Sequence, residues 1–404
     1  MEDKAKISEL RKEMDALMRT KGIRRLSETK NPDALHSKLD DFNDDRPYYT
    51  GYDYARLYGW DQYFEGILQL YCKWELTYLQ NSLKMFLERA DKDGFIPRCL
   101  PLVWWGMCHA QPFLAQQALL LKNAGDDLKW MWAEYYFNMK KYLLYWERHL
   151  DIRGGGLSIW DHAGHSGMDN HYERAGTFHD AFCEGVDLNS YLVREYEAFT
   201  LIADHLKQSS DAIYFRQLAE KKRAAINRWC WNESDGMYYD YHAREKRQIP
   251  VKHVGAFAAL WAKVPSQAQA DALVKKHLLN PDEFWRNWPL PALAASEPGY
   301  FEGYLPDETI QCCTWRAHSW MPTNYYAFHG LRYYGFTEAA AELAKRNREM
   351  FCREPFREYY KADSGTACGR NPFWGWSGLA LYMEDELEKN TDPTGLIIKS
   401  YPEG

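Results

Sequence analysis

Helical periodicity runs through almost the whole chain, and the spacing of its interruptions is the feature that most restricts the fold. Apolar residues recur at helical intervals over 61–72 and 75–90, 112–123 and 126–149, 187–207 and 209–230, 252–262 and 266–278, and 321–334 and 336–352. Within each pair the connection is a few residues, whereas the connections between pairs, 91–110, 150–186, 231–251, 279–320 and 353–373, are all much longer. In an antiparallel array of helical hairpins the two kinds of connection fall at opposite ends, so the long ones gather on one face. That face is where function is expected. A last helix over 374–388 has no successor, and an amphipathic N-terminal helix at about 5–20 is placed to complete a sixth pair across the chain ends.

The first helix of each pair is richer in aromatic and small residues, and the second carries Lys, Arg and Glu at helical spacing, as in LERADK and ELAKRNREM. First helices are therefore expected to form an inner ring and second helices an outer, solvated one. The result is an all-α protein, a single (α/α)6 barrel over residues 1–404. Helix starts are read at Asp187, at Ser209 or Ser210, at Thr337, and at Ser266, where Gln269 completes a capping box. A net charge of -7 with no Lys/Arg-rich run argues against nucleic acid as a partner. The first stretch, MEDKAKISELRKEMDALMRT, lacks an apolar core, and no segment reaches membrane-spanning length. The chain thus reads as cytoplasmic, with neither signal peptide nor membrane partner. Nine cysteines without a CxxC pair point to free buried thiols rather than zinc or a disulfide framework.

Seventeen Trp, 29 Tyr and 18 Phe make the chain 16% aromatic, more than core volume calls for. Flat amphipathic rings around a polar pocket suit a sugar, a base or a cation. Segment 150–186 is rich in Gly, His, Asp and Trp, with Asp169 between Gly167-Met168 and Asn170-His171. Such a loop can present an acid to a ligand; an Asp-Asn turn with solvated side chains is the plainer alternative. His162, His165, His171 and His179 share the segment, but their spacing fits no compact ligand set, so neither metal nor other cofactor is expected. In 353–373, Glu358 follows Phe356 and precedes Tyr359-Tyr360. It reads either as an acid set among rings or as a surface carboxylate paired with Arg353 or Arg357. Two carboxylates brought by different loops to a ring-lined pocket are what glycosidic hydrolysis needs: one protonates the leaving oxygen, and the other attacks or activates water.

Several motifs occur in order over about 50–385: Tyr58-Gly59-Trp60-Asp61-Gln62-Tyr63-Phe64, Gln111-Pro112, Ser166-Gly167-Met168-Asp169-Asn170 and Val186-Asp187-Leu188-Asn189. They continue with Trp315-Arg316, Trp320-Met321-Pro322-Thr323-Asn324, Glu358-Tyr359-Tyr360 and Phe373-Trp374-Gly375-Trp376-Ser377. This series resembles glycoside hydrolase family 63 and the trehalase clan, most of all its compact mannosylglycerate and glucosylglycerate hydrolases. The resemblance implies an (α/α)6 barrel and inversion at an α-glycosidic bond, with Asp169 as general acid and Glu358 as general base. It also implies a small carbohydrate held by Tyr58, Trp60, Asp61, Gln111, Trp160, Gly167, Trp315, Arg316, Trp320, Tyr359, Trp374 and Trp376.

Some of these residues have a second reading. Asp61, cast as the ligand of two sugar hydroxyls, also reads as a helix-start carboxylate favoured by the dipole. Arg316 is open to two uses, keeping Glu358 ionised or pairing with an acidic substrate group. The four tryptophans at 315, 320, 374 and 376 are expected to divide between core and pocket. Two stretches depart from the family pattern beside the sugar site: Ala317-His318 replaces Gly-Pro, and Gly164-His165 replaces Trp-Glu, leaving Trp160 to supply a ring from upstream. The chain leaves no room for the N-terminal β-sandwich of larger relatives, which points to a small glycoside. Two rival readings are an N-acylglucosamine 2-epimerase-like isomerase and a non-catalytic sugar-binding protein. The first needs paired His bases on inner helices, where few occur; the second would use the same rings and amides.

Overall fold

The computed structural model describes residues 2–28, 44–53, 56–101, 107–175, 182–303 and 314–394; Cys312, Cys313 and His179 lie outside them. In chain order its helices are α1 (Glu2–Leu17), α2 (Gly59–Tyr71), α3 (Thr77–Leu87), α4 (Leu114–Asn123) and α5 (Glu134–His149), then the single turns α6 (Ala163–Ser166) and α7 (Tyr172–Ala175). There follow α8 (Val186–His205), α9 (Ser209–Trp229), α10 (Ala258–Trp261), α11 (Gln267–Leu273), α12 (Met321–Tyr333), α13 (Thr337–Arg353) and α14 (Met383–Glu388). Among the described residues no helix is long and apolar enough to cross a membrane.

The first members of the pairs touch in a closed cycle. Helix α2 packs on α4, α4 on α8, α8 on α10, α10 on α12, α12 on the 3-10 turn Trp376–Leu381, and that turn returns to α2. They are enclosed on every side: every residue of α12 is buried, as is α2 from Gly59 to Gln69, polar side chains included. The second members bury only a stripe. In α13 it runs Ala340, Leu343, Ala344, Asn347, Met350, Phe351, the three-and-four spacing of a helix half in water. One contact in the cycle depends on glycine: a Cβ at Gly330 in α12 would lie 2.6 Å from the Leu260 Cβ of α10. The chain ends meet as well, since Arg11 of α1 donates to the Leu381 carbonyl at 3.2 Å and pairs with Asp385 at 2.7 Å.

Several local expectations need correction. Gly185, not Asp187, precedes α8, and Asp187 inside the first turn bonds other partners. Gln208 and Phe336 stand at the N-cap positions of α9 and α13, so Ser209 and Thr337 are already helical and cap nothing. The capping box at Ser266 and Gln269 forms as read. Left-handed backbone at Leu128 and Ala133 delays α5 to Glu134. Cys72, Cys352 and Cys368 are partly exposed rather than buried, although all seven described cysteines are thiols outside any disulfide.

The structure also contains short antiparallel ladders that tie the long connections to one another. Leu57–Tyr58 pairs with Cys99–Leu100, Cys183–Glu184 with Asp240–His242, and His318–Ser319 with Tyr359–Lys361. Behind the second ladder lies a buried charge cluster. Arg174 of α7 reaches Asp187 at 2.7 Å and Asp240 at 2.6 Å, while Asp240 also meets His253 at 3.2 Å and accepts the Val186 amide at 2.8 Å. Burial opposes ionisation of Asp240, but Arg174 and His253 outweigh it and hold the carboxyl below its usual range. Replacing Arg174 by Met would strand two buried carboxylates, so Arg174→Met should lose about 3–5 kcal/mol of unfolding free energy in a denaturant titration. A loss under about 1 kcal/mol would contradict this role.

Candidate active site

The N-terminal end of α2 supplies the first acid. Tyr58, in extended backbone, leads into the helix, and Asp61 is its third residue, buried together with Trp60. Burial pushes the Asp61 carboxyl up to about 7; a hydrogen bond from Tyr52 and the charge of Arg98 pull it down, and Asp169 pushes it up. One turn on, Glu65 is wholly buried, accepts the Gly51 amide at 2.8 Å and the Gln62 amide at 3.0 Å, and is raised well above its ordinary value by burial and by Asp61.

The second acid comes from the loop around α6. His162 accepts the His165 amide at 3.1 Å, the His165 ring meets the His109 carbonyl at 2.8 Å, and the Ser166 hydroxyl accepts the Met168 amide at 3.1 Å. Burial lowers His109 and His165 to about 3, so both rings are neutral tethers. Gly167 then turns the chain at φ +85°, where a Cβ would meet Gln111 Nε2 at 2.9 Å and Trp60 at 3.4 Å; this close approach joins three sequence-named positions. Gln111 itself donates to the His165 carbonyl at 3.1 Å. Asp169 keeps 37% of its side chain exposed, with Arg98 Nη2 at 3.3 Å from Oδ1. Its crowded surroundings raise the carboxyl, and Arg98 opposes that rise.

Glu358 is the third acid and only 2% exposed. Its Oε2 accepts the Arg370 amide at 3.0 Å, and its backbone carbonyl accepts the Trp376 indole at 3.4 Å. The chain folds over it at Gly369, φ +72°, where a Cβ would lie 2.5 Å from that same Oε2. Of the two arginines read in sequence as its partners, Arg357 pairs with Glu354 at 3.6 Å and Arg353 lies over Trp288.

Stacked rings connect the two loops. Asn170, beside Asp169, accepts the Trp315 amide at 2.9 Å. Trp315 stacks on Trp320 at 4.0 Å, and Trp320 stacks on Tyr359 at 4.2 Å, next to Glu358. Trp60 meets Trp315 edge-on at 6.0 Å, and Trp376 approaches Trp320 at 6.4 Å. His318 meets Tyr359 edge-on at 5.3 Å, and burial first, then Lys361 and Arg316, lower it to about 3. Arg316 is engaged with the acid loop, donating to Glu173 at 3.3 Å and to the Asn170 carbonyl at 3.2 Å.

Four of the sequence-named tryptophans, Trp160, Trp320, Trp374 and Trp376, spend their one polar side-chain atom inside the fold, Trp320 donating to the Thr314 carbonyl at 3.0 Å. Trp160 donates to Asp187 at 2.9 Å and packs on Trp146 and His165; Trp374 donates to the Thr50 carbonyl at 2.8 Å. Sequence reasoning missed Arg98, only 10% exposed on its side chain and set against Asp169 and the Tyr58 ring. Its signal was a lone cation in the apolar run Phe95-Ile96-Pro97-Arg98-Cys99-Leu100.

The family model of the mannosylglycerate hydrolase MGH1-like glycoside hydrolase domain matches residues 54–377. Among solved structures, the chain is similar to the GH63 mannosylglycerate hydrolase from Thermus thermophilus, determined in complex with glucose, at TM-score 0.71 and 19% identity over 93% of this chain and 100% of that one. A structure of the same enzyme in complex with Tris and D-glycerate gives TM-score 0.70 and 18% identity over the same shares, 93% and 100%. The neutral trehalase from Saccharomyces cerevisiae is similar at TM-score 0.64 and 18% identity, over 86% of this chain and 76% of that one.

The tight seat of Glu358 makes a sharp test. Gly369→Ala should displace the Glu358 carboxylate and lower kcat on any hydrolysed glycoside by about 100-fold, while the left-handed backbone costs about 1–2 kcal/mol of stability. Unchanged kcat in a folded variant would mean that the position of Glu358 is immaterial.

Proposed function

The chain belongs to the MGH1-like glycoside hydrolase family and hydrolyses glycosidic bonds, and we propose that it is an inverting α-glycosidase acting on small glucosyl- or mannosyl-type glycosides. In this reading residues 1–404 form one catalytic domain, an (α/α)6 barrel whose inner ring is the closed cycle of first helices. Asp169 is the general acid and Glu358 the general base. One observation carries the assignment: the loops bearing these two carboxylates are fastened to one stack of rings, through Asn170 to Trp315 on one side and through Tyr359 on the other.

The chemistry follows from the two environments. Asp169, partly open and raised by its surroundings, gives its proton to the glycosidic oxygen as the bond to the anomeric carbon breaks. Glu358, held by the Arg370 amide, takes a proton from the water that attacks the opposite face. One displacement inverts the centre, so an α-glycoside yields the β-anomer. Asp61 anchors the sugar hydroxyls from the start of α2, and the rings cover its apolar face. The glucose and D-glycerate recorded with the Thermus enzyme make glucosylglycerate and mannosylglycerate the first substrates to try.

Asp169→Asn and Glu358→Gln should each lose about 100- to 10,000-fold in kcat, and NMR of the wild-type reaction should show the β-anomer first. Near-normal turnover in either variant, or the α-anomer first, would overturn the assignment. Asp61→Ala should abolish measurable sugar binding with little change in melting temperature, because a helix-start carboxylate otherwise contributes about 1 kcal/mol. Full activity in that variant would remove Asp61 from the site.

A further inference from the structure

Arg98 exchanges no proton in this reaction, yet it stands beside two of its acids. Its backbone belongs to a hairpin anchored on both sides of the site. The Arg98 amide donates to the Cys108 carbonyl at 3.0 Å, and the next residues, Cys99–Leu100, pair with Leu57–Tyr58, which lead directly into α2. On the other strand the His109 carbonyl receives the His165 ring at 2.8 Å, so the acid loop hangs from the same hairpin. The guanidinium lies 5.5 Å from the centre of the Tyr58 ring, and Nη2 is 3.3 Å from Asp169 Oδ1. Its Nε, buried, has no hydrogen-bond partner among the described residues, which leaves a donor for an oxygen of the bound glycoside.

We propose that Arg98 is a positioning residue of this hydrolysis: from a hairpin tied to both α2 and the acid loop, it aims the Asp169 carboxyl and sets its positive charge against Asp61 as well. The role rests on the reading in which Asp169 is the acid and Asp61 the sugar anchor. Those two carboxylates have opposite needs, since Asp169 must carry a proton and Asp61 must not. Asp169 raises the affinity of Asp61 for protons, and Arg98 lowers it in both. The remaining titratable groups facing these three are Tyr52 and Glu65 around Asp61, and Tyr58, Cys99, Cys108 and His165 around Arg98. His165 is held neutral and the thiol of Cys108 is pushed up to about 12, so Arg98 is the cation that acts on both acids.

The sign of the effect is fixed. Activity that needs protonated Asp169 is lost as pH rises through its pKa, and activity that needs ionised Asp61 is lost as pH falls through its own. Removing the cation raises both values, so the whole pH profile moves upward. A substitution that merely damaged the fold would lower the profile without moving it.

The test measures kcat and KM against pH for the wild type, Arg98→Lys and Arg98→Met on one neutral aryl α-glycoside. Arg98→Met should shift the alkaline limb of kcat up by about 1 unit or more, and raise KM most below neutral pH. Arg98→Lys should keep both limbs in place at reduced kcat. If Arg98→Met does not fold, a carboxyl-carbon NMR titration comparing Arg98→Gln with the wild type reads the same shift directly at the aspartates. Limbs that stay in place in Arg98→Met, or aspartate titrations that do not move in Arg98→Gln, overturn the proposal. If instead Asp169→Asn keeps full activity, it is the acid assignment that has failed.

Discussion

Two buried carboxylates share one arginine, and the placing of the acid loop depends on it. Arg174 is fully enclosed between Asp187, in the first turn of α8, and Asp240, on the ladder that joins two long connections. Its own turn, α7, begins three residues after Asp169, so the guanidinium fastens the acid loop to the first turn of α8. Neighbouring charges extend the fastening: His171 of the loop lies against His253 and Glu173, and Glu173 receives Arg316 from the connection that carries Trp315. Burial alone would raise Glu173, but His171 and Arg316 bring its carboxyl down to about 2, while burial lowers the His171 ring. A buried ionic network is a costly way to stabilise a fold, and its use here suits a loop whose position matters more than its stability.

The rings serve the same end by a different force. Trp315, Trp320 and Tyr359 come from two segments far apart in the chain, and stacking at 4.0 and 4.2 Å makes them one rigid wall. Because Asn170 grips the Trp315 backbone and Glu358 adjoins Tyr359, that wall sets the loops of Asp169 and Glu358 relative to one another. The acids are prepared differently. Asp169 keeps contact with solvent and with Arg98, whereas Glu358 lies under the backbone at Gly369, where no side chain fits.

Much of this was legible in the sequence, for identifiable reasons. The helix pairs follow from periodicity and spacing, which survive any detail of packing. The capping box at Ser266 was readable because both of its partners are local. Asp187 misled as a cap because its carboxylate is claimed by Arg174, a residue of another element, and Ser209 and Thr337 misled because the chain enters each helix one residue earlier. The ladders of two or three residues are too short for alternation to show. Trp160 and Trp374 look in sequence like Trp315 and Trp320; what sets the latter pair apart is the stack they form with Tyr359. Arg98 was invisible for the complementary reason, since a single cation in an apolar run says nothing until the fold shows which acids it faces.

The central claim is that Asp169 and Glu358 act from opposite faces of one sugar with a water between them. The most direct test is a crystal structure with a non-hydrolysed α-glycoside in the pocket, from which the separation of the two carboxyl groups is read. The account predicts about 6.5–9.5 Å, with a water beside Glu358 in line with the anomeric carbon. A separation of about 5–5.5 Å, with Glu358 itself against that carbon, would contradict it and mean a covalent intermediate with retention.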